Sequence, residues 1–243
     1  MPSRIVLVMQ GGGAPGCYQA GAYQALHESG IEPDWVIGTS IGAINGAIIA
    51  GNTISDRVDK LKEFWGRLDT RLPKPWCQLT PVLAGVPGFY HVNPALAWGV
   101  EANVGIDQAA MYLLDPLKRL LPTLVDFNLI NSGNTRLTLG LTTVETGEMR
   151  YFDSQRYTIR LEHVLGSCAI PPSFPAVLIA GDYYWDGGIY SNSPAPRPGG
   201  DGWRDYDAEF RHEEATSAVS GCTTVSRRRN GRTSVSAQMR LTR

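Results

Sequence analysis

The fold of this chain is indicated most directly by residues 35–47, which read WVIGTSIGAINGA. A short apolar run ends in Gly-x-Ser-x-Gly, with Ser40 between Gly38 and Gly42, and an Ala/Ile/Gly run follows at helical spacing. This order of strand, serine and helix is the context of a nucleophile elbow, a sharp strained turn that presents a reactive serine at the end of a strand. Small residues are needed at positions 38 and 42 because a Cβ there would clash with the neighbouring strand or helix.

The same five residues have a plainer interpretation as a glycine-rich turn with an N-capping serine. The flanking strand and helix favour the nucleophile instead. An elbow also places Ser40 at a helix N-terminus, where free N–H groups and the helix dipole favour the negative charge that develops during acyl transfer.

A second motif lies upstream, where residues 11–16 read GGGAPG. An apolar run over 4–10 predicts a buried strand before it, and a helical pattern over 17–27 follows it. Three consecutive glycines leave backbone N–H groups uncovered. Such a loop binds a phosphate or forms an oxyanion hole.

The glycine loop also matches Gly-x-Gly-x-x-Gly, so dinucleotide binding is an alternative. Glu32 or Asp34 lies near the distance expected of a ribose-binding acid. However, that acid belongs at the end of the next strand, whereas here both acids precede the strand and its end carries the serine turn. The sequence therefore disfavours a dinucleotide site.

The third motif is Asp186-Gly187-Gly188. A hairpin is predicted to lead into it, with a strand over 176–179, a turn at 180–182 and an aromatic return strand. Asp-Gly-Gly alone is more typical of an ordinary turn. Only the presence of the two other motifs favours a functional role for this aspartate.

These three motifs, in this order, resemble those of the patatin-like phospholipase family over about residues 4–195. The stretches 124–127, 151–153 and 167–175 are similar to the family as well. Pro15 departs from the pattern, since many members carry Arg or Lys there, but proline suits the first turn of a helix. The resemblance implies an α/β fold of three layers, with a mostly parallel central sheet flanked by helices.

The resemblance also implies an activity, the hydrolysis of lipid acyl esters of the phospholipase A or esterase type. Ser40 would be the nucleophile and Asp186 the proton acceptor of a catalytic dyad. The backbone of three glycines would form the oxyanion hole: Gly11, Gly12 and Gly13. Five further glycines would support the motifs: Gly16, Gly38, Gly42, Gly187 and Gly188. A catalytically impaired acyl-binding or regulatory member of the same fold is the alternative.

Composition fits this interpretation. The 243 residues suffice for one α/β domain, and the four cysteines lack metal-ligand spacing. None of the four histidines stands in a recognisable catalytic context; they are His27, His91, His163 and His212. We expect a lipid or acyl-ester substrate, with no cofactor, metal or nucleic acid; the oligomeric state is left open. Without a signal-peptide pattern or an apolar run of ~18 residues, a cytoplasmic location is expected.

Two segments are less regular. Residues 73–93, rich in proline, glycine and aromatics, are either an ordered connector or a cap that borders an acyl pocket or transiently touches a lipid surface. A helical segment over 107–121 follows. Residues 196–243 hold nine Arg and no Lys, and the family pattern stops before them. We expect either a disordered basic tail or, preferably, translation in a shifted reading frame.

Overall fold

The computed structural model describes residues 5–69, 81, 83–95, 105–133 and 135–192, together with three short strands of the tail. The strands before the tail are β1 Ile5–Met9, β2 Trp35–Thr39, β3 His91–Val92, β4 Tyr112–Leu113, β5 Arg136–Thr143, β6 Met149–Asp153, β7 Val177–Ile179 and β8 Asp182–Asp186. The α-helices are α1 Cys17–Glu28, α2 Ile41–Ala50, α3 Arg57–Leu68, α4 Asp115–Leu124, α5 Phe127–Ser132 and α6 Leu161–Ser167. Two 3₁₀ turns cover Ala14–Gly16 and Gly187–Ile189.

The central sheet is mixed, and its middle is parallel. β1, β2 and β5 are parallel neighbours, while β6, β7 and β8 run antiparallel to the strands they pair with. β3 and β4 form a separate two-stranded sheet. The α/β class expected from the sequence is confirmed.

The helices of the described residues pack on one face of this sheet. β1 and β2 alternate, so that Leu7, Met9 and Val36 point into the large core with the helices, and Trp35 and Ile37 point to the other face. All ten residues of α2 are buried, since this helix lies between the sheet and α3. On the second face, the described part of the chain contributes a small cluster around Trp35, with the Arg136 guanidinium 3.8 Å from its ring centre.

One predicted helix begins later than expected. The pattern over 107–121 predicted a continuous helix, but the structure has strand β4 at Tyr112–Leu113 and starts α4 at Asp115. Pro116 in the first turn is compatible with this start, because its missing N–H lies where the N–H would be unpaired anyway, whereas a proline deep inside a longer helix would break it. No helix among the described residues is long and apolar enough to cross a membrane.

The sheet continues into the tail through three strands. β9 Ser217–Ser220, β10 Thr223–Arg227 and β11 Thr233–Ala237 pair in antiparallel order, and β11 pairs in parallel with β1. Both expectations for the tail, disorder and a shifted reading frame, stay predictions. The remainder of 193–243 lies outside the described residues.

Candidate active site

Ser40 stands at a strained turn between β2 and α2. Its backbone has φ 56° and ψ −129°, a conformation that non-glycine residues rarely adopt. A Cβ on Gly38 would overlap the Gly42 carbonyl oxygen, and a Cβ on Gly42 would overlap the carbonyl oxygen of Met9. Both glycines are therefore required by close backbone approach, as the sequence predicted.

The sheet topology brings Asp186 to the same place. β6 occupies one edge of β5, so β2 and β8 share the other edge and meet end to end. In this register Thr39 pairs with Gly140, and Asp186 pairs with the adjacent Leu141. The last residues of two strands that are distant in sequence thus become neighbours.

The Asp186 side chain is buried and hydrogen-bonded on both sides. It is 1 % exposed, accepts the Gly188 N–H at 2.7 Å, and forms a side-chain hydrogen bond with Ser40. A Cβ on Gly187 would lie 2.5 Å from the Gly140 carbonyl oxygen, so the chain can turn closely over β5 only with glycine there. The Asp-Gly-Gly motif is therefore more than a surface turn.

Burial raises the pKa of Asp186 from 3.8 to about 6, although the hydrogen bonds from Ser40 and Gly188 lower it in part. Removing a carboxylate from water disfavours its charged form. The group is therefore mostly ionised at neutral pH, yet it is a stronger base than an exposed aspartate. This combination suits a proton acceptor.

If Asp186 is the base, hydrolysis should fall as pH decreases through about 6, because the protonated carboxyl accepts no further proton. A kcat–pH profile on a soluble ester measures this, with circular dichroism to verify that the protein stays folded. A rate that stays flat down to the ordinary aspartate range near 4 would exclude Asp186 as the titrating base.

The glycine loop passes directly beside the serine. Gly11 is held by Asn192, whose carbonyl accepts its N–H at 3.2 Å and whose side-chain amide donates to its carbonyl at 3.1 Å. A Cβ on Gly11 would collide with Asn192 and lie 3.0 Å from the Ser40 Cβ. The Gly11 N–H is thus already occupied, which corrects its predicted place among the oxyanion donors.

Gly12 and Gly13 remain as candidate donors for an oxyanion. Within the described part of the chain their N–H groups have no partner, and Gly13, with φ 64° and ψ −132°, has a backbone conformation that strongly favours glycine. The N–H of Ile41, at the first position of α2, has no partner within its helix. An elbow uses the N–H after the nucleophile together with a loop N–H to hold an oxyanion.

The glycine loop packs against α2, although Pro15 stands where many family members carry Arg or Lys. This residue lies in the 3₁₀ turn Ala14–Gly16, where proline is compatible with the helical backbone. A Cβ on Gly16 would collide with the Ile41 side chain, so glycine is needed where the loop meets the elbow.

An apolar cavity of about 560 Å³ begins beside this site. Gly13 and Ile41 line one end, and the wall includes Phe89, Tyr90, Tyr112 and Phe174. Their rings contact one another at centroid distances of 4.8–6.2 Å. Pro81 and Val86 also line the cavity, so the described part of the 73–93 connector borders a pocket; residues 73–80 and 82 lie outside the description.

The three histidines among the described residues each have a structural partner. His27 contacts Glu32 at 2.6 Å, His91 lies 3.4 Å from Asp115, and His163 accepts the Arg160 N–H at 3.0 Å. Among the described residues no histidine is bonded to Ser40 or Asp186, and His212 lies outside them.

The two acids of the dinucleotide alternative are also occupied. Glu32 pairs with the buried Arg57 at 2.7 Å, and Asp34 accepts the Ile5 N–H at 2.8 Å. Within the described ranges, no group of three or more His, Cys, Asp or Glu side chains is arranged to hold a metal ion.

The chain belongs to the patatin-like phospholipase family, whose family model matches residues 7–197. It is 40% identical over 76 residues to human patatin-like phospholipase domain-containing protein 6, which is 31% of this chain and 6% of the relative. It is 46% identical over 65 residues to lysophospholipase nte1 of Aspergillus terreus, which is 26% of this chain and 4% of that protein. The chain therefore spans only a small part of the curated relatives it matches.

A similar solved structure is VipD from Legionella pneumophila, with a TM-score of 0.45 and 17% sequence identity. The similarity covers 83% of this chain and 48% of VipD.

Proposed function

We propose that this chain is a serine hydrolase that cleaves acyl esters of lipids, of the phospholipase A or esterase type. The observation that carries the proposal is the hydrogen bond between Ser40, on its strained turn, and the buried Asp186 carboxylate. Family membership supports a lipid substrate, and two of the relatives named above are called a phospholipase domain protein and a lysophospholipase.

The steps follow from the positions of these groups. Asp186 accepts the proton of the Ser40 hydroxyl as the Ser40 oxygen attacks the ester carbonyl carbon. The N–H groups of Gly12, Gly13 and Ile41 stabilise the resulting oxyanion, each donor contributing about 3 kcal/mol in the transition state. The C–O bond to the alcohol then breaks, and the alcohol leaves with the proton from Asp186. Water attacks the acyl-enzyme with Asp186 again as base. The bond between the acyl carbon and the Ser40 oxygen then breaks, this oxygen takes the proton back from Asp186, and the fatty acid is released.

The cavity supports an acyl chain as the group bound beside the serine. Its wall is largely apolar and aromatic, and it starts at Gly13 and Ile41, next to the oxyanion donors. Burying methylene groups there is favourable by ~0.8 kcal/mol each. We therefore propose that longer acyl chains are better substrates than acetate.

Ala14→Phe tests this use of the cavity, because Ala14 lines it next to Gly13. The larger ring should occupy the entrance and lower kcat/KM for a palmitoyl ester by about tenfold or more, since several buried methylenes are lost. Hydrolysis of the acetyl ester of the same alcohol is the internal control and should change little. Equal losses on both esters would show that this cavity does not hold the acyl chain.

Contact with a lipid surface is a further part of the proposal. In the connector next to the cavity, Leu83 is 66% exposed and is the side chain we propose for such contact. A cytoplasmic location and the absence of a nucleic-acid partner stay predictions from the sequence.

A further inference from the structure

Three consecutive residues at the end of α6 contact the backbone of both members of the Ser40–Asp186 pair. The Ser40 N–H donates to the Ser167 carbonyl and to the Ser167 hydroxyl oxygen, each at 3.1 Å. The Cys168 thiol donates to the Ser40 carbonyl at 3.1 Å. The Ala169 carbonyl accepts the Asp186 N–H at 2.9 Å.

We propose that Ser167, Cys168 and Ala169 form a positioning bridge that holds the nucleophile and its base at reacting distance. This inference rests on the proposed hydrolase function and assigns no contact with the substrate to the bridge. It gives the segment a role in the rate of the chemical step, separate from the packing of α6.

The strained backbone of Ser40 explains why such a bridge is needed. A non-glycine residue at φ 56° and ψ −129° persists only where the surrounding structure over-determines it. The first turn of α2 holds the Ser40 carbonyl through Ala43, but the N–H of Ser40 precedes the helix. Both acceptors of this N–H belong to Ser167, so the bridge holds the Ser40 N–H, which the helix does not bind.

The bridge is also tied to the strand that aligns β2 and β8. The Ser167 hydroxyl donates to the Gly140 carbonyl at 2.7 Å, next to the point on β5 where Thr39 and Asp186 meet. One side chain therefore links the nucleophile turn to β5. Loss of this hydroxyl should let Ser40 shift relative to Asp186.

Burial makes these contacts hard to replace. Ser167 and Ala169 are fully buried and Cys168 is 3 % exposed, so solvent does not take over a lost hydrogen bond. Burial also raises the pKa of the Cys168 thiol well above its ordinary value, with Asp186 contributing, so the thiol stays protonated and can donate.

The test compares Ser167→Ala, Cys168→Ala and Cys168→Ser on a soluble ester, with active sites counted by a fluorophosphonate. We expect kcat per labelled site to fall about 10- to 100-fold in Ser167→Ala and about tenfold in Cys168→Ala, with KM within about twofold, because small misplacements slow the chemistry. Cys168→Ser keeps a donor and should recover most of the rate. Ser132→Ala, which removes an exposed hydroxyl bonded to the Leu129 carbonyl, is the matched control.

Two results would overturn the bridge while leaving the hydrolase proposal intact. One is an unchanged kcat per labelled site in Ser167→Ala and Cys168→Ala, with only the melting temperature lowered. The other is a Cys168→Ser variant as slow as Cys168→Ala, since then side-chain volume and not the hydrogen bond matters. A folded wild type that neither hydrolyses esters nor takes the label would instead overturn the proposed function, and the bridge with it.

Discussion

Ser40→Ala and Asp186→Asn should each lower ester hydrolysis by at least about 10³-fold, with the fold retained. The first substitution removes the attacking oxygen, and the second removes the base that accepts its proton. Because the two groups act as a unit, the double variant should be no slower than Ser40→Ala alone.

The measurement is kcat on a soluble ester at about pH 8, where the Asp186 carboxylate is ionised. Asp182→Asn is the matched control, since Asp182 opens the same strand with a largely exposed side chain. It should retain wild-type activity. An Asp186→Asn variant within about tenfold of the wild-type rate would show that another group is the base.

Asp186→Asn, although it lowers activity, should make the folded protein more stable than wild type at neutral pH. The folded-state pKa of Asp186 lies above its ordinary value of 3.8, so ionisation costs the folded protein stability as pH rises from 3.8 to about 6. At ~1.4 kcal/mol per pH unit, this cost reaches about 3 kcal/mol above pH 6. The free energy of unfolding of Asp186→Asn, relative to wild type, should therefore rise by most of this amount between about pH 4 and pH 8. A pH-independent difference would contradict the raised pKa.

Gly42→Ala should be among the most damaging single-methyl changes for the fold. The added Cβ would overlap the backbone carbonyls of Met9 and Gln10, which cannot rotate away as a side chain does. β1 and α2 would have to separate, at a cost we place above about 4 kcal/mol, in the range of severe core changes.

Gly21→Ala is the matched control, because Gly21 is also helical and a Cβ there meets nothing within 4 Å. It should raise stability by about 0.5–1 kcal/mol, as expected for glycine replaced by alanine in a helix. Chemical denaturation of both variants measures the difference. Similar stabilities for the two would contradict the close approach of α2 to β1.

Local sequence signals predicted much of the fold and the elements of the site. The Ser40 turn could be recognised because strand, small residues and helix follow one another within the stretch 35–47. The hairpin before Asp186 was equally local, with its turn residues between two apolar strands; the structure confirms it as β7 and β8. The start of α4 was placed too early because the apolar pattern outweighed the signal of Pro116.

The contacts that complete the site could not be predicted, because they join residues far apart in the chain. Asn192 holds Gly11 across 181 positions, and the Ser167 hydroxyl accepts the Ser40 N–H across 127. Neither residue type signals such a role in its own surroundings. The Ile41 N–H is different, because its place directly after the nucleophile at the start of a helix can be seen in the sequence.

The most direct test of the proposed function is intact-mass and peptide analysis after reaction with a fluorophosphonate. We expect one adduct per chain, on the peptide that contains Ser40, with no adduct in Ser40→Ala and slow labelling in Asp186→Asn. Folded wild-type protein that takes no adduct would contradict the hydrolase and favour an impaired acyl-binding member of the fold. An adduct on another residue would contradict Ser40 as the nucleophile.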